Sequence, residues 1–340
     1  MAVLGQKLHT IADLTARIDP DGKIASIGEW LAQTNEVFAW LRWKEGNLPT
    51  GERTTVRTGL PTVTYRGYNQ GTDASKSRVA QIDEGAALLE GKSAVDRELA
   101  KAHGDVGEYR LTEASAFFEA LTQAFCTTMF FGNAAASPQE FTGLSPRFND
   151  VNSSVGDQLI DAGGSGTDNG SIWLVVTGPQ GVMGIYPKGT KAGISHLDVT
   201  KGTEKQDDGV DTGVYWDDAD GKQFLALVDQ FNLHCGLSVK DPRKVVRIGS
   251  IDRSELAVSG GKRLQMLMAD AVERVDGLSA EGHQAAFIMD RQMRSMLRQQ
   301  LLNDKNPYLS WDESAGKKML HFGEVPILRT DALSVDEAAI

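Results

Sequence analysis

The chain has 340 residues, 41% apolar and 24% charged, with 36 glycines, an ordinary globular composition with room for one large domain or two to three smaller ones. Its 46 acidic and 35 basic side chains leave a formal net charge of −11, which argues against binding a nucleic-acid backbone as the main activity but leaves open a container that surrounds nucleic acid. Two distant cysteines, Cys126 and Cys235, exclude a disulfide framework and a Cys-x-x-Cys metal site and fit a reducing cytoplasm.

No run reaches the roughly 18 apolar residues of a membrane span. The opening MAVLGQKLHTIADLTARID lacks the basic and apolar regions of a signal peptide. Residues 1–45 read as an arm with short helical pieces. Ile24, Ile27, Leu31, Val37 and Phe38 stand near helical spacing, and Trp30, Trp40 and Trp43 crowd the same stretch. Two readings of these tryptophans stay open: a face that docks onto something large, and a helix packed on its own core.

From Gly46 the character changes. Residues 54–57 and 62–66 are β-prone, and Thr58-Gly59-Leu60-Pro61 between them predicts a hairpin turn. Its alternation offers Thr and Arg instead of an apolar stripe, so the hairpin must lie against another surface. Arg53, Arg57, Arg66, Lys76 and Arg78 make it locally basic within an acidic chain. A solvated charged hairpin is one reading; a basic arm reaching an acidic neighbour is the other.

Residues 84–103 read as a polar helix. The spacing then predicts a helix over 111–131, with Thr112 as cap and Glu113 at its positive end. Ala114, Phe117, Phe118, Leu121, Phe125 and Met129 fall on one face. Such a helix is a rod of roughly 30 Å, and Gly132 or Asn133 can take the left-handed conformation that stops it. Residues 150–250 are rich in β-prone residues and glycine: 171–178 and 181–187 are strands, 198–221 an exposed acidic loop pair, 244–252 a returning strand. Two helices (from Lys262 and from Asp290) around the strand 285–289 form an α/β subdomain, and a turn and strand close the chain from Phe322.

Candidate chemistry is sparse. Gly163-Gly164-Ser165-Gly166 lacks the final glycine of a nucleophile elbow and lies in a loop. Asp217-Asp218-Ala219-Asp220-Gly221 lacks the bidentate Glu and spacing of a calcium loop. The six histidines are scattered, and His234 and Cys235, adjacent in a strand, point to opposite faces. No catalytic, cofactor-binding or metal-ligating residue is expected.

The landmarks, taken in order, resemble a known family: major capsid proteins of tailed bacteriophages with the Hong Kong 97-like fold, especially those of short-tailed phages. Phe131-Gly132-Asn133, Pro138, Phe141, Gly143 and Leu144 are similar to that family's link out of its spine helix. Residues 46–51 with 56–61 resemble its extended-loop hairpin, 171–176, 185–189, 246–248 and 251–252 its central strands, and 322–327 with Asp331 its closing strand. The resemblance runs from about Ile11 to Leu333.

What it implies is an α+β subunit with an N-terminal arm (1–45), an extended loop (46–83), a peripheral domain with the spine helix (84–150), β-rich peripheral strands with room for an insertion (151–250), an α/β axial domain (251–325) and a closing strand (326–340). Copies of it would assemble as pentamers and hexamers into an icosahedral shell enclosing double-stranded DNA, without enzyme activity or cofactor. Trp30, Trp40, Trp43, Arg53, Arg57 and Arg66 would meet neighbouring subunits; Phe117, Phe118, Leu121, Phe125 and Met129 would form the spine-helix core; Gly132, Asn133, Pro138 and Gly143 would be its hinge. A portal, a decoration protein and a separate scaffolding protein are implied partners, the last because few residues precede the extended loop. An encapsulin-like compartment holding a protein cargo is the alternative, and a soluble hydrolase or binding protein a third.

Overall fold

The computed structural model describes residues 33–102, 105–201, 211–217, 221–256, 263–278, 281–304, 309–314, 317–334 and 336–340. Most of the expected arm, with Trp30, and much of the acidic 198–221 segment lie outside them. The chain divides into two compact units, one built from Leu88–Ala124 and Gly193–Leu233, the other from Thr34–Ala87, Phe125–Ala192 and His234–Ile340.

The larger unit is organised on the strand β5 (Asn169–Thr177), buried along its whole length. A run buried on both faces needs apolar residues at successive positions, and Ile172-Trp173-Leu174-Val175-Val176 supplies them. β10 (Val245–Asp252) and β11 (Gln284–Met289) both pair antiparallel with β5. The short β4 (Leu159–Asp161) adds parallel to β10. From β11 the sheet continues through β14 (Val325–Arg329) to the hairpin β12 (Leu309–Ser314) and β13 (Lys317–Phe322). In the other direction it passes to β6 (Val182–Tyr186) and the end of β9 (Gln223–Val239). β1 (Trp43–Glu45) pairs parallel with β6, just after the short helix α1 (Glu36–Trp40).

Two helices cover this sheet. α5 (Leu264–Arg274) buries Leu264, Met268 and Ala271, and α6 (Arg291–Asp304) buries Met293 and Leu297. The i, i+4, i+7 spacing puts each set on one helical face. They pack on Ile172, Leu174, Val246, Ile248, Phe287 and Ile327 in one continuous core. The four-residue α4 (Arg253–Leu256) follows β10. The expected strands at 171–178, 181–187, 244–252 and 285–289, both helices, and the closing turn and strand all stand here.

The smaller unit holds the later part of β3 (Arg78–Asp96), α2 (Arg97–Ala102), most of α3 (Val106–Phe131), β7 (Ile194–Asp198), β8 (Val214–Asp217) and the first part of β9. β7 and β8 pair antiparallel with β9. Val95, Ala100, Tyr109 and Leu227 form one core patch, Ala114, Leu121 and Phe231 another. Arg110 lies between Asp198 and Asp229, 2.7 and 2.6 Å from them. Burial alone would lower its pKa, but hydrogen bonds and charge from the two carboxylates outweigh that and raise it.

Four expectations are corrected. Residues 84–96 are strand, not helix; only 97–102 are helical. Gly85 and Gly91 each cost a helix about 1 kcal/mol, and buried Ser93 and Val95 alternate with more exposed neighbours, as a strand requires. The long helix begins at Val106, and at 26 residues spans about 39 Å. Its cap is Asp105, whose carboxylate accepts the Glu108 N–H at 3.1 Å; Thr112 sits inside the helix and donates to the Glu108 carbonyl. Within the acidic segment, 214–217 form β8 instead of loop.

The fourth correction concerns the hairpin. Residues 62–66 are not a strand: β2 (Gly51–Gly59) pairs with β3, in register from Gly51↔Gly85 to Arg57↔Val79. The chain between them, 60–77, is a long connection and not a four-residue turn. Pro61 has no N–H to give a ladder, and Asn69, at φ +64°, with Gly67 and Gly71 marks the turn within it.

Candidate assembly surfaces

The β2–β3 hairpin presents an unusual surface. Leu60 and Val63 are more than four-fifths exposed, and Tyr65 and Tyr68 are fully exposed. Arg57, Arg66, Lys76 and Arg78 are exposed around them, and among the described residues Arg57 and Arg66 have no ion-pair partner. Arg53 differs. Its Nε and Nη2 donate to the two Asp83 oxygens across the ladder, both at 2.6 Å, which holds the Asp83 carboxyl below the usual range. Its charge is therefore met within the hairpin.

At the root of the hairpin the logic reverses. Glu52 and Glu84 face each other in register, and both are buried. Like charges placed opposite across a ladder repel, and a buried carboxylate is costly unless paired. Each has a cation from a different segment. Arg147 donates through both terminal nitrogens to Glu84 at 2.6 Å, and its Nε and Nη2 also reach the Gly143 and Thr142 carbonyls at 3.0 Å. Lys44 donates to Glu52. Lys240 lies nearby: burial, then the Lys44 charge, lower its pKa, while Glu52 acts in the opposite sense.

The chain leaving α3 is a tight joint. Gly132 N–H closes on the Thr128 carbonyl, Leu144 N–H donates to Met129 O at 2.9 Å, and Gly143 N–H to Gly132 O at 2.8 Å. The carbonyls a helix end leaves orphaned are thus taken up by the returning chain. Neither Gly132 nor Asn133 is left-handed; glycine is required for close approach instead. A Cβ on Gly132 would lie 2.6 Å from both the Thr128 and Phe141 carbonyls, and one on Gly143 2.5 Å from Thr128 O. Asn133 turns the chain: its side-chain oxygen accepts from Ala135 N–H at 3.0 Å and its carbonyl from Ser137 N–H at 2.8 Å. Pro138 is exposed on the loop, and Phe141 and Leu144 are buried beyond it.

Along the helix, Leu121, Phe125 and Met129 are buried and Phe117 half-buried, stacked on Phe231 at 5.2 Å. Phe118, 38% exposed, touches Phe231 only edge-on. Of the tryptophans, Trp43 packs 5.7 Å from Phe38 and 5.1 Å from Phe125, so within the subunit it follows the core reading. Trp40, also half-buried, ends α1.

A further buried ion pair lies in the large unit. Arg247 Nη2 donates to Glu337 at 2.6 Å, with both side chains about 5–6% exposed. Its Nη1 donates to the Phe148 carbonyl, and its guanidinium stacks 5.2 Å from the Trp173 ring. Glu337 also accepts from Ser171 Oγ, and its N–H donates to the Asn169 carbonyl. Sequence reasoning missed the ion-pair residues Glu52, Glu84, Arg147, Arg247 and Glu337. Single charged residues scattered over the chain carry no spacing signal; only an apolar run around Arg247 (VVRIG) marked it as a charge inside a buried strand.

Nothing in the described residues is arranged for catalysis. Both cysteines are buried, and burial pushes the Cys235 thiol up to about 12. No group of three or more His, Cys, Asp or Glu side chains could hold a metal among the described residues. Gly163–Gly166 lies against Ser250 and Asp252 as a close-packed loop.

Comparison with known proteins follows the same direction. The model of the family described as major capsid protein GP7 matches residues 19–340. A solved structure of bacteriophage Epsilon15 is similar over 100% of this chain and 99% of its own, with 28% identity and a TM-score of 0.72. The bacteriophage JBD30 capsid covers 97% of both chains at 10% identity and a TM-score of 0.45. The holo-SrpI encapsulin complex of Synechococcus elongatus covers 72% of this chain and 96% of its own at 10% identity and a TM-score of 0.42. Neither of the last two scores carries weight. Among curated proteins none matches.

Proposed function

The chain belongs to the phage major capsid protein GP7 family, and from that premise we propose how its parts build the shell. It is the major capsid protein of a tailed phage, a structural component of the virion with the Hong Kong 97-like capsid fold and mixed α+β content, and it self-assembles into an icosahedral shell. In our reading the shell is made of pentamers and hexamers and encloses double-stranded DNA without sequence-specific contacts; the net charge of −11 argues against backbone binding as its main activity.

Residues 46–83 act as the extended loop, 84–150 as the peripheral domain with α3 as spine, 151–250 as peripheral strands, 251–325 as the axial domain, 1–45 as the arm and 326–340 as the closing segment. One observation carries this assignment: residues 60–77 expose Leu60, Val63, Tyr65 and Tyr68 beside Arg57 and Arg66, which have no ion-pair partner among the described residues. A two-stranded ribbon with no buried face is marginal alone, so its surface is completed by another subunit. Such a contact is heterologous, one surface meeting a different one, and so generates rings. Trp40 contributes to the same kind of contact, and α3 with the joint at Gly132, Asn133, Pro138 and Gly143 sets the subunit's angle. Portal, scaffolding and decoration proteins are further partners that the family resemblance carries over.

The test is the double substitution Arg57→Glu with Arg66→Glu. The expected result is folded subunits that yield few or no particles by electron microscopy, against DNA-filled shells from wild type. Wild-type particle yield from the double variant would overturn the hairpin assignment, and particles holding a co-purifying enzyme in place of DNA would restore the compartment reading.

A further inference from the structure

We propose that the root of the β2–β3 hairpin is a two-pronged ionic latch that fixes the direction in which the hairpin leaves the subunit, with Glu84–Arg147 as one prong and Glu52–Lys44 as the other. The inference rests on residues 46–83 being an assembly arm and goes beyond it by naming what aims the arm.

Three observations converge on this root. First, the two carboxylates stand opposite each other in the ladder, at the last positions before the strands reach Gly51 and Gly85. Both are buried, although the hairpin beyond them is exposed. Among the described residues no apolar side chain of the hairpin beyond Glu52 and Glu84 is fully buried, so its orientation depends on the contacts at its base, where Asn47 also bonds the Arg53 backbone. Second, the cations come from separate parts of the body. Lys44 lies in β1, and Arg147 in the chain that closes the end of α3. Arg147 holds Glu84 with one side of its fork while bonding the Gly143 and Thr142 carbonyls. A planar guanidinium engaged in this way admits one orientation of its partner. It ties the arm to the joint whose glycines pack against the helix end.

Third, the backbone at the root is built for close approach. A Cβ on Gly51 would lie 2.0 Å from the Glu84 carbonyl, and one on Gly46 2.3 Å from the Gly51 carbonyl. Backbone hydrogen bonds, Gly46 N–H to the Tyr186 carbonyl and Ala86 N–H to the Thr50 carbonyl among them, fix the root's position, and the buried charges add a directional constraint on the strands that leave it. A bidentate ion pair is either made or broken, which gives the arm discrete positions.

The experiment measures amide hydrogen exchange in unassembled full-length subunits and shell shape by electron microscopy. Glu84→Gln preserves shape and removes the charge. The expected result is exchange at residues 53–57 and 79–83 faster by about tenfold or more, unchanged exchange in β5, and shells of aberrant or mixed size. Arg147→Lys, which keeps charge but loses the fork, falls between. Should Glu84→Gln fail to fold, Lys44→Met tests the other prong by the same readout. Asp83→Asn, which breaks the exposed ion pair farther out on the hairpin, leaves shell size unchanged. Wild-type exchange and uniform shells from Glu84→Gln, or from Lys44→Met in its place, would overturn the latch while leaving the capsid assignment standing. Wild-type particle yield from Arg57→Glu with Arg66→Glu would overturn the assembly-arm reading instead.

Discussion

Replacing Gly143 by alanine adds a single methyl group, yet the structure leaves no room for it. The new Cβ would lie 2.5 Å from Thr128 O, 2.8 Å from Met129 O and 3.0 Å from the Phe130 carbonyl carbon. All three are backbone atoms of the last turn of α3, so no side chain can swing away. The returning chain must lift instead. That loosens the Gly143-to-Gly132 and Leu144-to-Met129 hydrogen bonds, each worth about 1 kcal/mol net, and strains a packed site at a cost of about 1–3 kcal/mol. Alanine's smaller unfolded-state entropy returns about 0.5–1 kcal/mol. The net loss is about 2–4 kcal/mol. With roughly 2 cal/mol/K of unfolding entropy per residue, a chain of this size loses roughly 3–6 °C in Tm. Gly85→Ala is the matched control, because nothing lies within 4 Å of its Cβ position. Thermal unfolding of unassembled subunits compares the two variants with wild type. A Gly143→Ala protein that melts with Gly85→Ala would refute the close-approach reading of the joint.

Arg247→Met leaves Glu337 buried without its partner and should cost about 3–5 kcal/mol, whereas Arg247→Met with Glu337→Leu costs clearly less; denaturant titration of both variants checks this. Burial pushes the Asp198 carboxyl up, but hydrogen bonds from Arg110 and Thr200 and the Arg110 charge outweigh it and leave it below its usual value. A carboxyl lowered on folding contributes stability above its unfolded pKa of about 3.9, lost as pH falls through the folded value. Stability of the wild type should therefore fall more steeply below about pH 4 than that of Asp198→Asn, and parallel acid limbs would contradict the pairing. Finally, a buried thiol pushed up to about 12 is neither ionised nor accessible at neutral pH. Cys235 should resist maleimide in folded subunits and label on denaturation, as followed by mass spectrometry.

Elements that carry their own packing signal were legible in the residues. Ile172 to Val176 is apolar at every position and is the strand buried on both faces. Leu264, Met268 and Ala271 repeat at helical spacing and form the buried face of α5. Leu121, Phe125 and Met129 do the same in α3. The ordered landmarks also sufficed to indicate a capsid subunit, because shape-determining glycines, prolines and aromatics recur in a set order where chemistry does not.

Other features escaped for physical reasons. Residues 84–96 are rich in helix formers, yet long-range pairing makes them strand, since a ladder partner outweighs weak local propensity. The partner of β2 could not be found by looking for the nearest β-prone run, because the true one begins after the connection of residues 60–77. The end of α3 looked like a left-handed stop, but its glycines are needed for the space they leave, which depends on where residues 141–144 return.

The sequence by itself determined which segments bury apolar surface, that the chain offers no catalytic constellation, and which family it resembles, because these depend on composition and short-range spacing. Only the tertiary structure decided which charges meet. Glu84 finds Arg147 across 63 positions and Arg247 finds Glu337 across 90. An ion pair is specified by where two side chains come to lie in space, and no local pattern along the chain encodes that distance.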